Sequence, residues 1–171
     1  MEVIPVNLNI METYGVSERF ILLSQNYPAL RLGRVISQYR ELYKVITETG
    51  EALAEVSGKF RYETPLEAAY PAVGDFVMVN PLSGTPGEHT VIHHVLPRKS
   101  AFERKAAGDT HAVQVVAANI DIAFLCMSLN QNYNLSRLER YLSVAWDSGA
   151  TPVIVLTKAD GDARGGAALS V

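Results

Sequence analysis

The sequence predicts a small closed β-barrel followed by an α/β unit with parallel strands. Residues 31–97 contain five short segments rich in β-branched and aromatic residues, and turn residues separate them. From residue 113 the pattern changes to apolar runs on either side of one amphipathic helical segment, which is typical of strands in a parallel sheet. The chain of 171 residues is long enough for one full domain and part of a second.

The barrel prediction depends on how strands and turns alternate. Strands are expected at residues 31–48 (one bent strand or two), 52–57, 71–81 and 90–96. Residues 48–51, Glu-Thr-Gly-Glu, indicate a turn, and a Gly-Asp pair at 74–75 enters the fourth strand. Five short strands in a segment of this length favour an OB-fold, and a small SH3-like barrel is the alternative.

The second unit is predicted to be a strand, a helix and a strand. Residues 113–129 form a near-continuous apolar run, expected to be a strand buried on both faces, and residues 153–156 form another buried strand. The helix between them has Asn134 as its N-cap and Gly149 just beyond its end. Such a fragment leaves an apolar face and an unpaired strand edge. Ligands of these sheets bind beyond the carboxyl ends of the strands, here after residue 156.

Composition limits the classes of function. The net charge is −3, and residues 31–110 carry ten basic and ten acidic side chains, so no overall positive field attracts nucleic acid. Any RNA contact must come from local patches, and no DNA partner is expected. The N-terminal residues lack the features of a signal peptide, and no apolar stretch is long enough to span a bilayer. We therefore expect a cytoplasmic protein without a membrane partner.

The cysteine and histidine residues do not predict a metal site. Cys126 is the only cysteine, which excludes a disulfide within one chain and a zinc site built from cysteines. On a strand, His89 and His93 share a face but lie too far apart to chelate a metal, and His93 and His94 point to opposite faces. No metal ligand is therefore assigned.

A four-residue sequence after the last apolar run, Thr157-Lys158-Ala159-Asp160, matches the guanine-reading pattern Asn/Thr-Lys-x-Asp. The Asp160 carboxylate can accept hydrogen bonds from N1–H and the N2 amine of guanine, and it would repel the N1 acceptor of adenine. Lys158 can lay its aliphatic stem over the purine face. Thr157 is shorter than the Asn found in many GTPases, which would reduce its contacts. A solvated turn after a strand is the alternative interpretation.

No phosphate-binding loop accompanies this pattern. The single Gly-Lys pair, Gly58-Lys59, is followed by Phe60 and lacks the first glycine of Gly-x-x-x-x-Gly-Lys-Ser/Thr. Residues 162–165 match the Asp-x-x-Gly pattern of a γ-phosphate switch, but one loop would then have to reach both ends of the nucleotide. We interpret that match as accidental. Either the chain is no GTPase, or the motif order is rotated and the phosphate loop follows the guanine loop.

Five stretches, spread over about residues 10–160, match the pattern of one family. They are GRVISQYRELYKV at 33–45, PAVGDFV at 71–77, LPRKSAFERKAAG at 96–108, QVVAANID at 114–121, and residues 134–160 from NLSRLERYL to the guanine loop. In this order they resemble the circularly permuted ribosome-biogenesis GTPases, the RsgA/YjeQ/EngC family. The resemblance implies that an OB-fold barrel is followed by the first part of an α/β P-loop GTPase domain, circularly permuted and incomplete.

The resemblance also implies an activity, ligands and partners. Members bind immature 30S particles late in assembly, contact 16S rRNA through the OB domain, and hydrolyse GTP to GDP and phosphate. The implied ligands are GTP or GDP with Mg²⁺, and zinc in a C-terminal domain. The guanine contacts would be Thr157, Lys158 and Asp160. The P-loop, the Mg²⁺ ligand and the zinc ligands have no counterpart in these 171 residues, so we expect this chain to be inactive alone.

Four segments follow from this interpretation. They are an N-terminal extension at 1–30, the RNA- or ribosome-binding barrel at 31–97, a basic interdomain connector at 98–112, and the GTPase fragment with a low-complexity tail at 113–171. Candidate phosphate contacts are Lys59, Arg61, Arg98, Lys99, Arg104 and Lys105. Candidate base-stacking residues are Tyr39, Tyr43, Phe60 and Tyr62. The alternative is that the aromatic residues fill the barrel and the charges only solvate it.

Two classes of function therefore remain open. One is a ribosome-assembly GTPase, of which this chain carries the OB domain and the guanine loop. The other is a non-enzymatic OB-type module that binds RNA or the ribosome, in which the guanine pattern is vestigial. Nucleotide binding by the chain distinguishes the two classes.

Overall fold

The chain forms two compact units in a computed structural model. The structure describes residues 8–40, 42–64, 69–83, 85, 87–105, 113–129 and 133–158. The first unit comprises Met1–Lys99 and Glu103–Asn119, and the second comprises Ser100–Phe102 and Ile120–Val171.

A closed five-stranded barrel forms the centre of the first unit. Its strands are β1 (Arg31–Gln38), β2 (Tyr43–Thr47), β3 (Gly50–Val56), β4 (Phe76–Val79) and β5 (His89–Val95). They close in the order β1-β2-β3-β5-β4, with β3 and β5 parallel and the other neighbouring pairs antiparallel. The prediction of an OB-fold is confirmed.

The sequence did not predict three short helices that accompany the barrel. They are α1 (Leu8–Thr13), α2 (Glu18–Ser24) and α3 (Gly58–Glu63). Each is shorter than two full turns, so too few residues repeat at helical spacing to be recognised. The helix α3 begins after Ser57, whose side chain accepts a hydrogen bond from the Phe60 N–H at 3.0 Å. This N-cap satisfies one of the otherwise unpaired donors at the start of the helix.

The barrel packs apolar side chains both inside it and against its outer surface. The interior cluster consists of Val35, Tyr43, Val45, Ala52, Ala54, Val56, Val77, Val79 and Ile92. A second cluster places Met11 of α1 and Phe20 of α2 against Leu32, Phe76 and Met78. The Phe20 and Phe76 rings stack with centroids 4.0 Å apart. Because successive strand residues point to opposite faces, β1 and β4 supply both clusters.

The second unit contains β8 (Ile122–Ser128), α4 (Leu135–Asp147) and β9 (Thr151–Thr157). The strands β8 and β9 pair in parallel, from Ile122 opposite Thr151 to Ser128 opposite Thr157. The βαβ prediction is therefore confirmed. Asn134 is the N-cap, since its Oδ1 accepts the Arg137 N–H at 2.9 Å. No described helix is long and apolar enough to cross a membrane.

The prediction of one strand buried on both faces at residues 113–129 is wrong. The run forms two strands, β7 (Val113–Ala118) and β8, and Asn119 ends β7 in the left-handed region with φ 54°. The strand β7 pairs with β6 (Ala101–Lys105) instead of joining the parallel sheet. Along β8, Ile122 and Phe124 are 50% and 66% exposed. Among the described elements, α4 packs against β8 and β9. The exposed Ile122 and Phe124 side chains confirm the predicted open apolar face.

Candidate functional site

The predicted guanine loop begins at the carboxyl end of β9. Thr157 is the last residue of the strand, and its carbonyl accepts the Leu129 N–H at 2.9 Å. Lys158 follows with φ 58°, and its side chain is exposed. Lys158 thus follows the sheet at the edge where parallel sheets bind ligands. Asp160 lies outside the described residues.

The backbone at Lys158 is the feature of this loop that the sequence did not predict. A positive φ at a residue other than glycine costs on the order of 1–3 kcal/mol, and such positions concentrate at binding sites. The exposed side chain offers a long aliphatic stem and an ammonium group. A stem presented in this way can cover one face of a planar ring while the ammonium remains hydrated.

Two of the predicted RNA-binding cations lie on α3. Lys59 and Arg61 are both exposed, and Tyr62 between Arg61 and Glu63 is 91% exposed. Lys59 lies 3.8 Å from the Glu63 carboxylate in an exposed i,i+4 pair. Such a pair contributes at most about 0.5 kcal/mol, so it would not prevent Lys59 from contacting a phosphate.

The four candidate stacking residues separate into two groups. Tyr39 and Tyr62 are exposed, whereas Tyr43 is buried in the barrel interior. Phe60 packs against the same interior cluster and meets Tyr70 edge to face, with ring centroids 5.7 Å apart. Burial, more than the neighbouring Tyr70, raises the pKa of the Tyr43 phenol, and the charge of Arg61 opposes this shift. Only Tyr39 and Tyr62 present rings on which a base could stack without repacking the barrel.

Arg98 is held in an ion pair inside the barrel unit. Its Nε and Nη2 donate to the Asp75 carboxylate at 2.8 and 2.6 Å, and its Nη2 also donates to the Tyr70 carbonyl at 2.8 Å. Asp75 is completely buried and accepts the Ala72 N–H at 2.8 Å as well. The Nε and Nη2 donors of Arg98 are thus engaged by Asp75 and Tyr70, and releasing them to a phosphate would break a buried pair, which is strongly unfavourable.

The remaining basic candidates follow Arg98 in the chain. The Lys99 side chain is exposed, while its backbone N–H donates to the Asn119 Oδ1 at 2.9 Å. Arg104 and Lys105 belong to β6, and their side chains lie outside the described part of the chain. Among the described side chains, Lys59, Arg61 and Lys99 therefore have the surroundings that suit phosphate contact.

The sequence did not predict a partly buried polar node formed by Arg34, Gly74 and Asn119. The Asn119 Nδ2 donates to the Gly74 carbonyl at 3.1 Å, and the Arg34 Nε donates to the same oxygen at 3.2 Å. The Arg34 Nη2 donates to the Asn119 carbonyl at 3.3 Å, and its Nη1 donates to the Tyr14 carbonyl. The one indication in the sequence was a polar Asn inside a long apolar run. This node holds the end of β7 against the barrel.

His93 and His94 make structural contacts. Within the described ranges, no group of three His, Cys, Asp or Glu residues could hold a metal ion. The His93 Nε2 lies 2.9 Å from the Asn80 Oδ1, and His94 stacks on Tyr27 with centroids 4.4 Å apart. Partial burial, and then the charge of His93, lower the pKa of His94. These contacts favour the neutral form of His94 at physiological pH.

Comparisons with known proteins point to one family. A family model described as RsgA GTPase matches residues 95–166. The chain is 51% identical over 129 residues to small ribosomal subunit biogenesis GTPase RsgA 2 of Lactiplantibacillus plantarum, covering 75% of this chain and 36% of that protein. It is 46% identical over 156 residues to small ribosomal subunit biogenesis GTPase RsgA 1 of Listeria innocua, covering 88% and 40%.

Two solved structures have the same fold. The crystal structure of YjeQ from Thermotoga maritima aligns with a TM-score of 0.62 and 26% identity over 82% of this chain and 46% of that chain. YloQ, described as a circularly permuted GTPase, aligns with a TM-score of 0.59 and 19% identity over the same shares. The chain thus spans less than half the length of these relatives and structures.

Proposed function

We propose, because the chain belongs to the RsgA family of circularly permuted GTPases, that it takes part in maturation of the 30S ribosomal subunit. One observation carries the proposal: a relative that is 51% identical is named a small ribosomal subunit biogenesis GTPase. The position of Thr157-Lys158 at the carboxyl end of β9 supports it. The proposed partners are the 30S subunit and its 16S rRNA, in the cytoplasm.

The guanine loop would bind GTP or GDP through its base. Asp160 would accept the two hydrogen bonds of guanine, Lys158 would cover the ring, and Thr157 would contact the base edge or a neighbouring loop. These 171 residues contain no P-loop, so the loop provides recognition of the base without a cradle for the phosphates. The Mg²⁺ ion would be held between phosphate oxygens and protein ligands that this sequence lacks.

The first prediction is that these 171 residues do not hydrolyse GTP at a measurable rate. Without Gly-Lys-Ser/Thr, neither the phosphates nor Mg²⁺ is positioned for attack by water. Phosphate release should stay at the level of buffer, with or without 30S particles. The matched control is Asp160→Asn, which removes the base contact alone. The prediction is wrong if the purified chain hydrolyses GTP and Asp160→Asn abolishes that hydrolysis.

The barrel would contact rRNA through exposed cations and aromatic rings. Lys59 and Arg61 on α3 lie on either side of Phe60, and Tyr62 projects beside them. Cations on an exposed helix neutralise phosphates without reading sequence, and a tyrosine face accepts any base. Lys99 would add a further phosphate contact, whereas Arg98 remains with Asp75.

The second prediction concerns binding of the chain to 30S particles. The double substitution Lys59→Glu and Arg61→Glu should weaken binding. It should also make the slope of the logarithm of the binding constant against the logarithm of salt concentration (the salt slope) shallower by about 0.7–0.9 for each phosphate that the protein no longer neutralises. Binding would be measured by co-sedimentation at salt concentrations between about 50 and 200 mM, the range over which phosphate contacts weaken. Arg140→Glu, at an exposed position of α4, is the control. A salt slope equal to that of the wild type would mean that these charges only solvate the barrel.

A non-enzymatic OB-type module is the second candidate, because the guanine pattern occurs here without a P-loop. In that case the chain would bind 30S particles or RNA, and nucleotide would not matter. Calorimetry with GDP and with ADP as the control separates the two candidates. Binding of GDP but not ADP, abolished by Asp160→Asn, favours the GTPase; 30S binding without any GDP binding favours the module.

A further inference from the structure

Two clefts of nearly equal size open on the barrel unit. The first, here called the tyrosine cleft, has a volume of about 330 Å³ and is lined by Gln38, Arg40, Tyr43, Thr64, Tyr70 and Gln114, among others. The second, here called the acidic cleft, has a volume of about 350 Å³, and its lining includes Glu51 and Glu88. Both volumes are at the lower end of the range of roughly 300–1,000 Å³ for small-ligand sites. Each could accept one nucleotide but not a duplex.

The charges on the two linings are opposite. None of the described residues that line the tyrosine cleft carries a carboxylate, and Arg40 contributes a cation. In the acidic cleft, the Glu88 carboxylate already accepts the Ser83 N–H at 3.0 and 2.9 Å and the Thr85 N–H at 3.3 Å. A group that carries a phosphate is therefore attracted to the tyrosine cleft and repelled by the acidic cleft.

The aromatic lining of the tyrosine cleft is held in place before any ligand binds. The Tyr70 ring meets Phe60 edge to face at 5.7 Å, and Phe60 packs on the barrel interior. The Tyr70 carbonyl accepts the Arg98 Nη2 at 2.8 Å, and Arg98 is paired with buried Asp75. A ring fixed through its backbone and its face loses little entropy when a base packs against it.

The polar groups of the tyrosine cleft suit the edge of a base. The Gln38 and Gln114 side chains each carry an amide with donors and an acceptor. The Tyr43 phenol also lines the cleft, and its O–H can donate a hydrogen bond. Such groups can form hydrogen bonds with the Watson–Crick or Hoogsteen edge of a base that has left its stack.

Two exposed aromatic residues are close in sequence to residues that line the tyrosine cleft. Tyr39 lies between Gln38 and Arg40 in the loop after β1 and is 56% exposed. Tyr62 lies two residues before Thr64 and is 91% exposed. Rings exposed to this degree are accessible to a base of the same RNA segment.

We propose that the tyrosine cleft takes one unstacked nucleotide of a single-stranded RNA segment. Arg40 contacts its phosphate, Tyr70 packs against its base, and the two glutamine amides bind the base edge. The inference rests on the proposed contact with ribosomal RNA and extends it to a site where one base leaves the stack. Because a base inside a duplex cannot enter the cleft, the barrel discriminates single strands from duplexes.

The test uses the whole chain and fluorescence anisotropy with labelled twelve-nucleotide oligouridylate, oligoadenylate and an RNA duplex of the same length. The wild type should bind at least one of the single strands about tenfold more tightly than the duplex. Gln38→Ala should weaken that binding about tenfold at an unchanged salt slope. Arg40→Gln should weaken it similarly and flatten the slope by about 0.7 logarithmic units. Both residues are exposed, so both variants should fold.

The matched control is Thr85→Ala, a neutral change in the lining of the acidic cleft, which should leave the affinity within about twofold of the wild type. Equal affinity for duplex and single strands, or single-strand binding that neither cleft variant weakens, would overturn the inference. So would no binding to any of the oligonucleotides. Binding of the same proteins to 30S particles separates the two proposals: if it persists while the cleft variants have no effect on oligonucleotides, only the nucleotide cleft is wrong.

Discussion

Replacing Asp75 by alanine should lower the free energy of unfolding of the barrel by about 3–5 kcal/mol, because it leaves the Arg98 charge without its partner in the interior. Asp75 is 0% exposed and the Arg98 side chain is 18% exposed, with 2.6 Å between the Arg98 Nη2 and the Asp75 Oδ2. The substitution also removes the acceptor of the Ala72 N–H. Arg98→Ala should cost a similar amount, since it leaves the carboxylate buried and unpaired. The measurement is urea unfolding followed by far-ultraviolet circular dichroism.

The Lys59–Glu63 pair on α3 is the matched control for this prediction. It joins the same kinds of charge, but its side chains are 79% and 58% exposed and its N–O distance is 3.8 Å. Lys59→Ala should therefore change the free energy of unfolding by at most about 0.5 kcal/mol. If Asp75→Ala cost no more than this control, the buried pair would not stabilise the barrel, and Arg98 would again be a candidate for RNA contact.

The second large effect is expected from Gly74→Ala. Gly74 has φ 94°, and a Cβ added to it would lie 2.0 Å from the Ala118 carbonyl oxygen. Both the new methyl group and that oxygen are attached to backbone, so the end of β7 has to move away from the barrel. Strain and the broken Asn119–Gly74 hydrogen bond together should cost at least about 3 kcal/mol.

Gly87→Ala separates the clash from the strain of the backbone. Gly87 also has a positive φ, 78°, but a Cβ there meets nothing within 4 Å, so its cost should be only about 1–2 kcal/mol. Hydrogen exchange gives the local measurement, because the Ala118 N–H donates to the Val73 carbonyl at 2.8 Å. Exchange at Ala118 should accelerate in Gly74→Ala and stay unchanged in Gly87→Ala. Equal destabilisation by both substitutions would refute the close approach of β7.

The sequence by itself determined the elements that depend on neighbouring residues. The strands β3 and β5, the turn at residues 48–51 and the Asn134 cap were predicted from local patterns, and all are present in the structure. The parallel β8–α4–β9 unit followed from two apolar runs and one helical period. The guanine pattern could be placed at the end of β9 because a strand ends where its apolar run ends.

Only the tertiary structure decided which of the candidate side chains are free to bind. Tyr43 and Phe60 pack with the barrel interior while Tyr39 and Tyr62 are exposed, although all four looked alike in sequence. Arg98 read as one member of a basic cluster, yet its partner Asp75 lies 23 residues earlier.

The division of the apolar run at residues 113–129 into two strands likewise depends on tertiary contacts. Asn119 ends β7 while its side chain donates to the Gly74 carbonyl, 45 residues earlier in the chain. Hydrophobic period and turn chemistry act over a few residues, whereas burial and ion pairing join residues that only the folded chain brings together. For that reason the fold class could be predicted from the sequence, and the division of its basic and aromatic residues between core and binding surface could not.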